Sequence, residues 1–347
     1  MHKKLISFFD ESDAILITSP HNMRYFSGFS GGEGAVLIQK DKRVLFTDSR
    51  YIEQAMNEVK EFEVVLWNGF LGLCSYISEQ KCEKIAFEDN FLTVDFYNRL
   101  KERTNAEYIG RGNEIDKKRM IKTSAEIEKI RKAEEIGDKA FSHILGYIRE
   151  GVSEREIANE IEYFMKKQGA DKTSFDTIAI SGVKTSMPHG VSDDKKIEKG
   201  DFITLDFGCV YEGYCSDMTR TVVLGKANAK QKEIYGIVYN AQMAGLEAIQ
   251  KGVICKNADK AARDVIEKAG YGKYFGHSLG HGVGLMIHEL PTLSPRSEQI
   301  LEDNMVVSCE PGIYIPDFGG VRIEDLVVVS GEKCTILSKS QKNLTEI

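Results

Sequence analysis

The sequence predicts a protein of the α/β (α+β) class with two domains. Its 347 residues suffice for two domains of ordinary size. Up to about residue 109, short apolar runs alternate with helical patterns, which is typical of a small α/β domain. The remainder combines amphipathic helices with pairs of strands rich in glycine, aspartate and β-branched residues. We therefore expect one domain over residues 1–112 and a second over residues 113–347.

In the first domain, four apolar runs predict strands and three segments predict helices. The strands are expected at residues 14–18, 35–38, 43–47 and 84–88, and the helices at 51–59, 71–79 and 93–102. Asp48 and Arg50 are polar residues of this domain, but they belong to no convergent set. We interpret them as surface or capping residues.

The second domain opens with two strong helix starts. Thr123-Ser124-Ala125-Glu126 and Ser153-Glu154-Arg155-Glu156 both fit a capping box, and isoleucines follow each at near-helical spacing. Two further helices are expected over residues 231–250 and 258–268. The segments between and after these helices predict strands.

Composition and charge exclude several functional classes. The formal net charge of -7 does not favour nucleic acid or an anionic membrane surface as partner. No apolar run approaches the roughly 20 residues of a membrane span, and the N-terminus does not read as a secretory signal. Seven cysteines without a pairing pattern indicate reduced thiols. The sequence therefore predicts a cytoplasmic protein.

The second domain contains a faint duplication of an acidic hairpin. The segment 201–208 ends in Asp206-Phe207-Gly208 and leads through a glycine-containing turn to Asp217 and the run 218–223. The segment 306–312 carries Glu310 and leads through a second turn to Glu324 and the run 325–328. Two such hairpins, placed face to face, would bring four carboxylates to one spot.

These acids lie in or beside apolar strand segments, where a lone carboxylate is costly to bury. Asp206 stands between Leu205 and Phe207, for example. A single buried acid usually has a hydrogen-bonding explanation, but the mutual repulsion of four requires a compensating charge. A pair of divalent cations would supply that charge.

A glycine-rich histidine cluster strengthens the prediction of a metal site. The run Gly276–Gly284 carries His277 and His281, with His288 downstream and His189 upstream. One histidine with four carboxylates is an oxygen-rich donor set, which favours Mn²⁺, Co²⁺ or Fe²⁺ over a structural zinc site. Bridging carboxylates let five side chains hold two metals about 3.5–4 Å apart, with a shared hydroxide as nucleophile. The other imidazoles could bind the substrate carbonyl and the oxyanion.

The order of these residues resembles the metal-ligand set of the methionine aminopeptidase, aminopeptidase P, prolidase and creatinase superfamily. The ligands that the resemblance implies are Asp206, Asp217, His281, Glu310 and Glu324. It also implies the pita-bread fold for residues 124–329 and two divalent metals per chain. We expect Mn²⁺, with Co²⁺, Fe²⁺ or Zn²⁺ as alternatives. The resemblance also implies three catalytic roles. His189 matches the family's histidine near the leaving group, His288 matches the one near the substrate carbonyl, and Glu310 matches the ligand that also shuttles protons.

Three features resemble the proline-specific branch of the superfamily. The motif Gly-His-Ser-Leu-Gly-His-Gly carries His277 four residues before His281, and Arg322 precedes Glu324 by two, so both are expected to bind substrate. The N-terminal domain resembles the creatinase/prolidase N-domain, including the segment Asn22–Phe29. The implied function is an exopeptidase that cleaves between an N-terminal residue and proline, acting as a homodimer.

Alternatives remain at this stage. A methionine aminopeptidase is disfavoured by the N-terminal domain and by Arg322, and an inactive pita-bread binding module is disfavoured by five intact ligands. Between the proline-specific activities, we favour an aminopeptidase over a dipeptidase. A dipeptidase needs a cation to bind the proline carboxylate, and in some prolidases a basic residue directly follows the run that matches His288–Pro291. Here Thr292 follows that run, and we interpret the nearest arginine, Arg296, as a surface residue.

Overall fold

A computed structural model describes residues 5–347 of the chain. It divides into two compact units, of which one ends at Arg119 and the other spans Met120–Ile347. The predicted boundary after Gly112 lies a few residues before this division. No helix in residues 5–347 is both long and apolar enough to cross a membrane.

The first unit is a six-stranded sheet with helices. Its strands are β1 (Ala14–Ile17), β2 (Ala35–Gln39), β3 (Arg43–Thr47), β4 (Glu63–Leu66), β5 (Lys84–Phe87) and β6 (Glu107–Gly110), in the order β4-β3-β2-β1-β5-β6. Its helices are α1 (Pro20–Ser27), α2 (Ile52–Glu58), α3 (Gly69–Glu79), α4 (Val94–Arg103) and α5 (Gly112–Asp116). Both faces of the sheet are buried: Ile15 and Ile17 join one apolar cluster, and Ala14 and Leu16 join another. Because both of its faces are buried, β1 is a continuous run of apolar residues.

The sequence predicted the four inner strands and three of the helices of this unit. It did not predict the outer strands β4 and β6, or the helices α1 and α5. The outer strands are short and contain partly exposed residues, so their apolar pattern is weak.

The second unit contains four long helices: α6 (Ser124–Leu145), α7 (Glu154–Lys167), α8 (Ala229–Ala248) and α9 (Cys255–Lys268). Both predicted capping boxes are formed, at Thr123 with Glu126 and at Ser153 with Glu156. A third box, in which Asn228 caps α8, starts that helix two residues earlier than predicted. Helix α9 starts three residues earlier than predicted, at Cys255.

Two larger sheets lie between these helices. The strands of the second unit are β7 (Lys172–Thr173), β8 (Ile178–Ser181), β9 (Phe202–Phe207), β10 (Cys209–Tyr211), β11 (Tyr214–Cys215), β12 (Met218–Val223), β13 (Gly280–Gly282), β14 (Glu289–Leu293), β15 (Val306–Cys309), β16 (Gly312–Ile315), β17 (Gly319–Arg322), β18 (Asp325–Ser330), β19 (Lys333–Ile336) and β20 (Thr345–Glu346). One larger sheet has the order β20-β12-β9-β8, and the other has the order β14-β13-β15-β18-β19.

Each larger sheet packs against its own pair of helices. Helices α6 and α7 share an apolar cluster with β9 and β12, while α8 and α9 share one with β15 and β18. The two predicted acidic hairpins are therefore the antiparallel pairs β9–β12 and β15–β18. They meet where the backbone N–H of Glu324 donates to the carbonyl of Thr219, at 3.1 Å. This contact brings the acid-bearing edges of the two hairpins together.

Candidate metal centre

The first hairpin places two of the acids on one face. Asp206 lies in β9 directly opposite Thr219 of β12. Asp217 comes two residues before Thr219, and side chains two apart along an extended strand point the same way. Asp206 and Asp217 therefore face the same cavity, and both are buried.

The second hairpin and a neighbouring strand supply the other donors. Glu310 directly follows β15, and Glu324 directly precedes β18. His281 lies in β13, which pairs with β15 and carries glycine on both sides of the histidine. A Cβ at Gly280 would lie 2.1 Å from the carbonyl oxygen of Ser308, so glycine is required for this close approach. The close packing holds His281 beside the acids.

The donor atoms converge. His281 Nε2 lies 3.3 Å from Glu310 Oε1 and 3.5 Å from Asp217 Oδ2. One donor atom each from Asp217, His281 and Glu324 lie within 4.8 Å of one another, and Asp206 lines the same cavity. The structure thus brings together all five residues that the sequence singled out as ligands.

The electrostatics of this cluster call for a cation. Burial and the charges of Glu324 and Asp206 raise the pKa of Asp217 well above its ordinary value. Burial and the charges of Glu310 and Asp206 do the same to Glu324. For Glu310, burial raises the pKa to about 7. Several carboxylates this close together are stable in ionised form only beside positive charge.

The hydrogen bonding leaves one oxygen free on each of two carboxylates. Asp206 Oδ2 accepts from Arg322, and Glu324 Oε2 accepts from Thr219 at 2.7 Å. Within the described residues, the other oxygens, Asp206 Oδ1 and Glu324 Oε1, are buried and have no hydrogen-bond partner. Buried acceptors are rarely left unpaired, so these atoms fit direct coordination of a cation. The donor set of four carboxylates and one imidazole fits hard divalent metals.

A buried hydrogen-bond chain connects this cluster to His277. Arg322 donates to Asp206 and, at 2.8 Å, to the hydroxyl of Tyr314. Burial raises the pKa of Tyr314 to about 12, so its hydroxyl stays protonated and can donate to His277 Nε2, 2.9 Å away. Burial and Arg322 lower the pKa of His277 to about 4, which keeps the ring neutral. Its Nδ1 then donates to the carbonyl of Ser278 at 2.8 Å.

Two more histidines line the cavity without belonging to the five donors. The ring of His288 lies 4.3 Å from that of His281, and burial together with His281 lowers the pKa of His288. A neutral imidazole at this place can donate a hydrogen bond to a substrate oxygen. His189 lines the wall formed by the segment Pro188–Ser192. Both residues are therefore accessible to a bound molecule.

The cavity has a volume of about 640 Å³ and lies within the second unit. Thr292 lines it, whereas Arg296 is exposed and does not belong to its wall.

Sequence reasoning missed Thr219 and Tyr314. Thr219 could have been found from strand alternation, since it lies two residues after Asp217. Tyr314 carries no comparable signal, because its role depends on the short pair β16–β17.

Comparisons with known proteins agree with this geometry. The profile of metallopeptidase family M24 matches residues 128–331, and that of the creatinase/prolidase N-terminal domain matches residues 8–121. A Xaa-Pro dipeptidase of Pyrococcus furiosus is 42% identical, over 99% of this chain and 98% of the relative.

Two solved structures are also similar along their whole lengths. A Xaa-Pro dipeptidase from Bacillus anthracis has a TM-score of 0.97 and 47% identity, covering 100% of this chain and 99% of that one. An X-Pro aminopeptidase from Thermotoga maritima has a TM-score of 0.91 and 39% identity, with the same coverage. These matches confirm the two-domain α/β fold, with an N-terminal creatinase-like domain and a C-terminal pita-bread domain. The family uses divalent metal ions, and the chain belongs to metallopeptidase family M24.

Proposed function

We propose that this enzyme is a Xaa-Pro dipeptidase, which hydrolyses the bond between an N-terminal residue and a C-terminal proline. The observation that carries the proposal is the convergence of five donors, with unpaired oxygens on Asp206 and Glu324, in a cavity large enough for a dipeptide. The names of the Pyrococcus and Bacillus relatives favour a dipeptidase. They shift the proposal away from the aminopeptidase that the sequence favoured.

The proposed ligands of two divalent metals are Asp206, Asp217, His281, Glu310 and Glu324, and Mn²⁺ is the proposed metal. Such metals would lower the pKa of a bound water toward neutrality and so supply the nucleophile for the peptide carbonyl. The two unpaired carboxylate oxygens support this assignment. The hard character of the donor set supports Mn²⁺ over a structural zinc site.

The protein's own side chains would do the rest of the chemistry. Glu310 lies 3.3 Å from His281 Nε2 at the donor cluster, and we propose that it takes up and returns a proton during hydrolysis. His288 would donate to the scissile carbonyl and stabilise the oxyanion. His189 would face the leaving proline, while His277 and Arg322 would hold that side of the pocket through Tyr314.

An X-Pro aminopeptidase is the second candidate, because a specific observation favours it. Arg322 lines the cavity, but its guanidinium is bonded to Asp206, Tyr314, Thr219 and the carbonyl of Pro188. Among the described lining residues there is no other arginine or lysine that could take the proline carboxylate. The relative from Thermotoga maritima carries this name.

A substrate panel with added Mn²⁺ tests the proposal. We expect cleavage of Ala-Pro, much slower cleavage of Ala-Pro-Ala-Ala, and none of acetyl-Ala-Pro or Met-Ala-Ser. Faster cleavage of the tetrapeptide would identify the aminopeptidase, and cleavage of Met-Ala-Ser alone would identify a methionine aminopeptidase. Arg296→Ala should leave the dipeptide preference unchanged, because Arg296 lies outside the cavity wall.

A matched pair of variants separates an enzyme from an inactive binding module. Glu324→Gln changes a buried proposed ligand, and Glu332→Gln makes the same change at an exposed position. The first should lose turnover and the second should keep it.

We further propose a homodimer in the cytoplasm; the seven cysteines, all free among the described residues, suit a reducing compartment. Light scattering of the purified protein tests the dimer.

A further inference from the structure

Asp176 lies on the wall of the cavity, just before the strand that pairs with the Asp206-bearing strand of the proposed metal centre. Ile178, the first residue of β8, lies directly opposite Asp206 of β9. Asp176 precedes Ile178 by two residues, and both line the cavity. Two residues of extended chain span about 7 Å. The carboxylate of Asp176 therefore lies within the reach of a long side chain on a peptide bound at the centre.

Among the described charged residues that line the cavity, Asp176 is the one whose side chain has no hydrogen-bond or ion-pair partner. The described charged residues that line it are Asp176, Asp206, Asp217, Glu310, Arg322 and Glu324. Arg322 pairs with Asp206, and the other three carboxylates surround His281. Asp176, by contrast, has no hydrogen bond or ion pair with any described residue, and it is exposed to the cavity. A cationic group could approach it without displacing a partner.

The surroundings of Asp176 suit a long cationic side chain. Phe175, Ile178 and Val191 give this part of the wall an apolar surface. Thr177, next to Asp176 in the chain, also contributes to the wall, but its hydroxyl is buried, so the exposed carboxylate of Asp176 is the acceptor at this place. Lysine and arginine lay their methylene stems on apolar surface and keep the charged head near polar groups. The apolar wall and the unpaired carboxylate together match that chemistry.

We propose that Asp176 determines specificity by selecting peptides whose first residue carries a positively charged side chain. The proposal rests on the proposed function, because it assumes a peptide with its N-terminal residue at the metal centre. It names the substrate class within Xaa-Pro peptides: Lys-Pro and Arg-Pro are favoured, and Glu-Pro and Asp-Pro are disfavoured.

The test compares kcat/KM for Lys-Pro, Met-Pro and Glu-Pro, whose first residues are similar in length but differ in charge. The wild type should prefer Lys-Pro to Met-Pro by about fivefold, the scale of one partly exposed charge pair, and should disfavour Glu-Pro. Asp176→Asn should remove most of the preference, and Asp176→Lys should reverse it. Added NaCl should shrink the Lys-Pro to Glu-Pro ratio in the wild type, because salt screens exposed charges.

Asp194→Asn is the matched control. It removes the same charge from an exposed aspartate that pairs with Arg155 and does not line the cavity. A change in the ratio as large as that of Asp176→Asn would assign the preference to the overall field of the protein. Equal loss of rate on all three peptides in Asp176→Asn would indicate contact with the α-ammonium group. An unchanged ratio in both Asp176 variants would show that the residue does not select substrates. Each of these three results overturns the proposal.

Failure of the proposed function is distinguishable from these outcomes. It would appear as no turnover of Met-Pro by the wild type, since Met-Pro does not depend on Asp176. In that case the three peptides are compared as ligands of the Mn²⁺-loaded protein by calorimetry. A Lys-Pro to Glu-Pro affinity ratio that collapses in Asp176→Asn supports the proposal, and an unchanged ratio overturns it.

Discussion

Lys122 Nζ lies 2.7 Å from Glu289 Oε1, and both side chains are almost completely buried. The two residues are 167 positions apart in the chain. Lys122 directly precedes the cap of α6, and Glu289 directly follows His288. The pair therefore ties the entry into the second unit to the start of β14, directly after a proposed catalytic histidine.

Removing one partner of this pair should be costly. Lys122→Met leaves the carboxylate of Glu289 buried without its cation, so we expect a loss of about 3–5 kcal/mol in the free energy of unfolding. The double variant Lys122→Met/Glu289→Gln removes both charges and should recover much of that loss. Urea denaturation of both proteins measures the difference. Lys129→Met, which breaks a partly exposed pair with Glu212, should cost less than about 1 kcal/mol. Similar stabilities for Lys122→Met and Lys129→Met would contradict the prediction.

Asp217→Asn should remove at least one of the two proposed metals and nearly all activity. It should also raise the melting temperature of the metal-free protein, because the pKa of Asp217 is raised by burial and by neighbouring acids. Elemental analysis and thermal unfolding with and without chelator measure both effects. Asp264→Asn, at a surface pair with Lys260, serves as control. Retention of two metals per chain by Asp217→Asn would exclude it as a ligand.

His288→Ala should keep its metals and lose turnover. The proposed set of five metal ligands does not include His288, and loss of a hydrogen-bond donor to the oxyanion typically lowers kcat by about 10²–10³. His143→Ala, outside the cavity lining, should retain the wild-type rate. The measurements are metal content and kcat for Ala-Pro. A variant that loses metal while keeping its rate per bound metal would assign His288 to the metal instead.

Glu134 predicts a dependence of stability on pH. Burial raises the pKa of Glu134 from 4.5 to about 8, and Ser338 donates to it. The folded state holds this proton more tightly than the unfolded state does. Its contribution to stability is therefore fully present below the unfolded pKa of 4.5 and is lost as pH rises from there through the folded pKa of about 8. Relative to Glu134→Gln, the wild type should lose up to about 1.4 kcal/mol per pH unit across this window. Denaturation of both proteins at pH 5, 7 and 9 measures the loss. Parallel pH profiles would contradict the prediction.

The sequence predicted what depends on local pattern. Apolar runs located the inner strands, and capping boxes located the starts of α6 and α7. Acids within apolar segments, such as Asp206, pointed to the cluster because a buried charge needs compensation. The aminopeptidase preference rested on Thr292 and Arg296, and the relatives' names moved the proposal to a dipeptidase.

Contacts between distant segments could not be predicted in this way. Nothing near Lys122 in the sequence indicates Glu289 as its partner, because the ion pair depends on how strands far apart in the chain are arranged. The hydrogen bonds of Tyr314 to Arg322 and His277 likewise require the register of β16 with β17. Propensity and periodicity specify elements, whereas packing of separate elements specifies these contacts.

The two hairpins that form the candidate centre are separated by α8 and α9 along the chain, so its proposed ligands extend from Asp206 to Glu324. A ribosome must therefore synthesise nearly the whole polypeptide before all five donors exist. A product that terminates within α9 would contain Asp206 and Asp217 but lack His281, Glu310 and Glu324. With the proposed ligand set, a translation product that stops before Glu324 lacks the complete metal centre and is expected to be inactive as a peptidase.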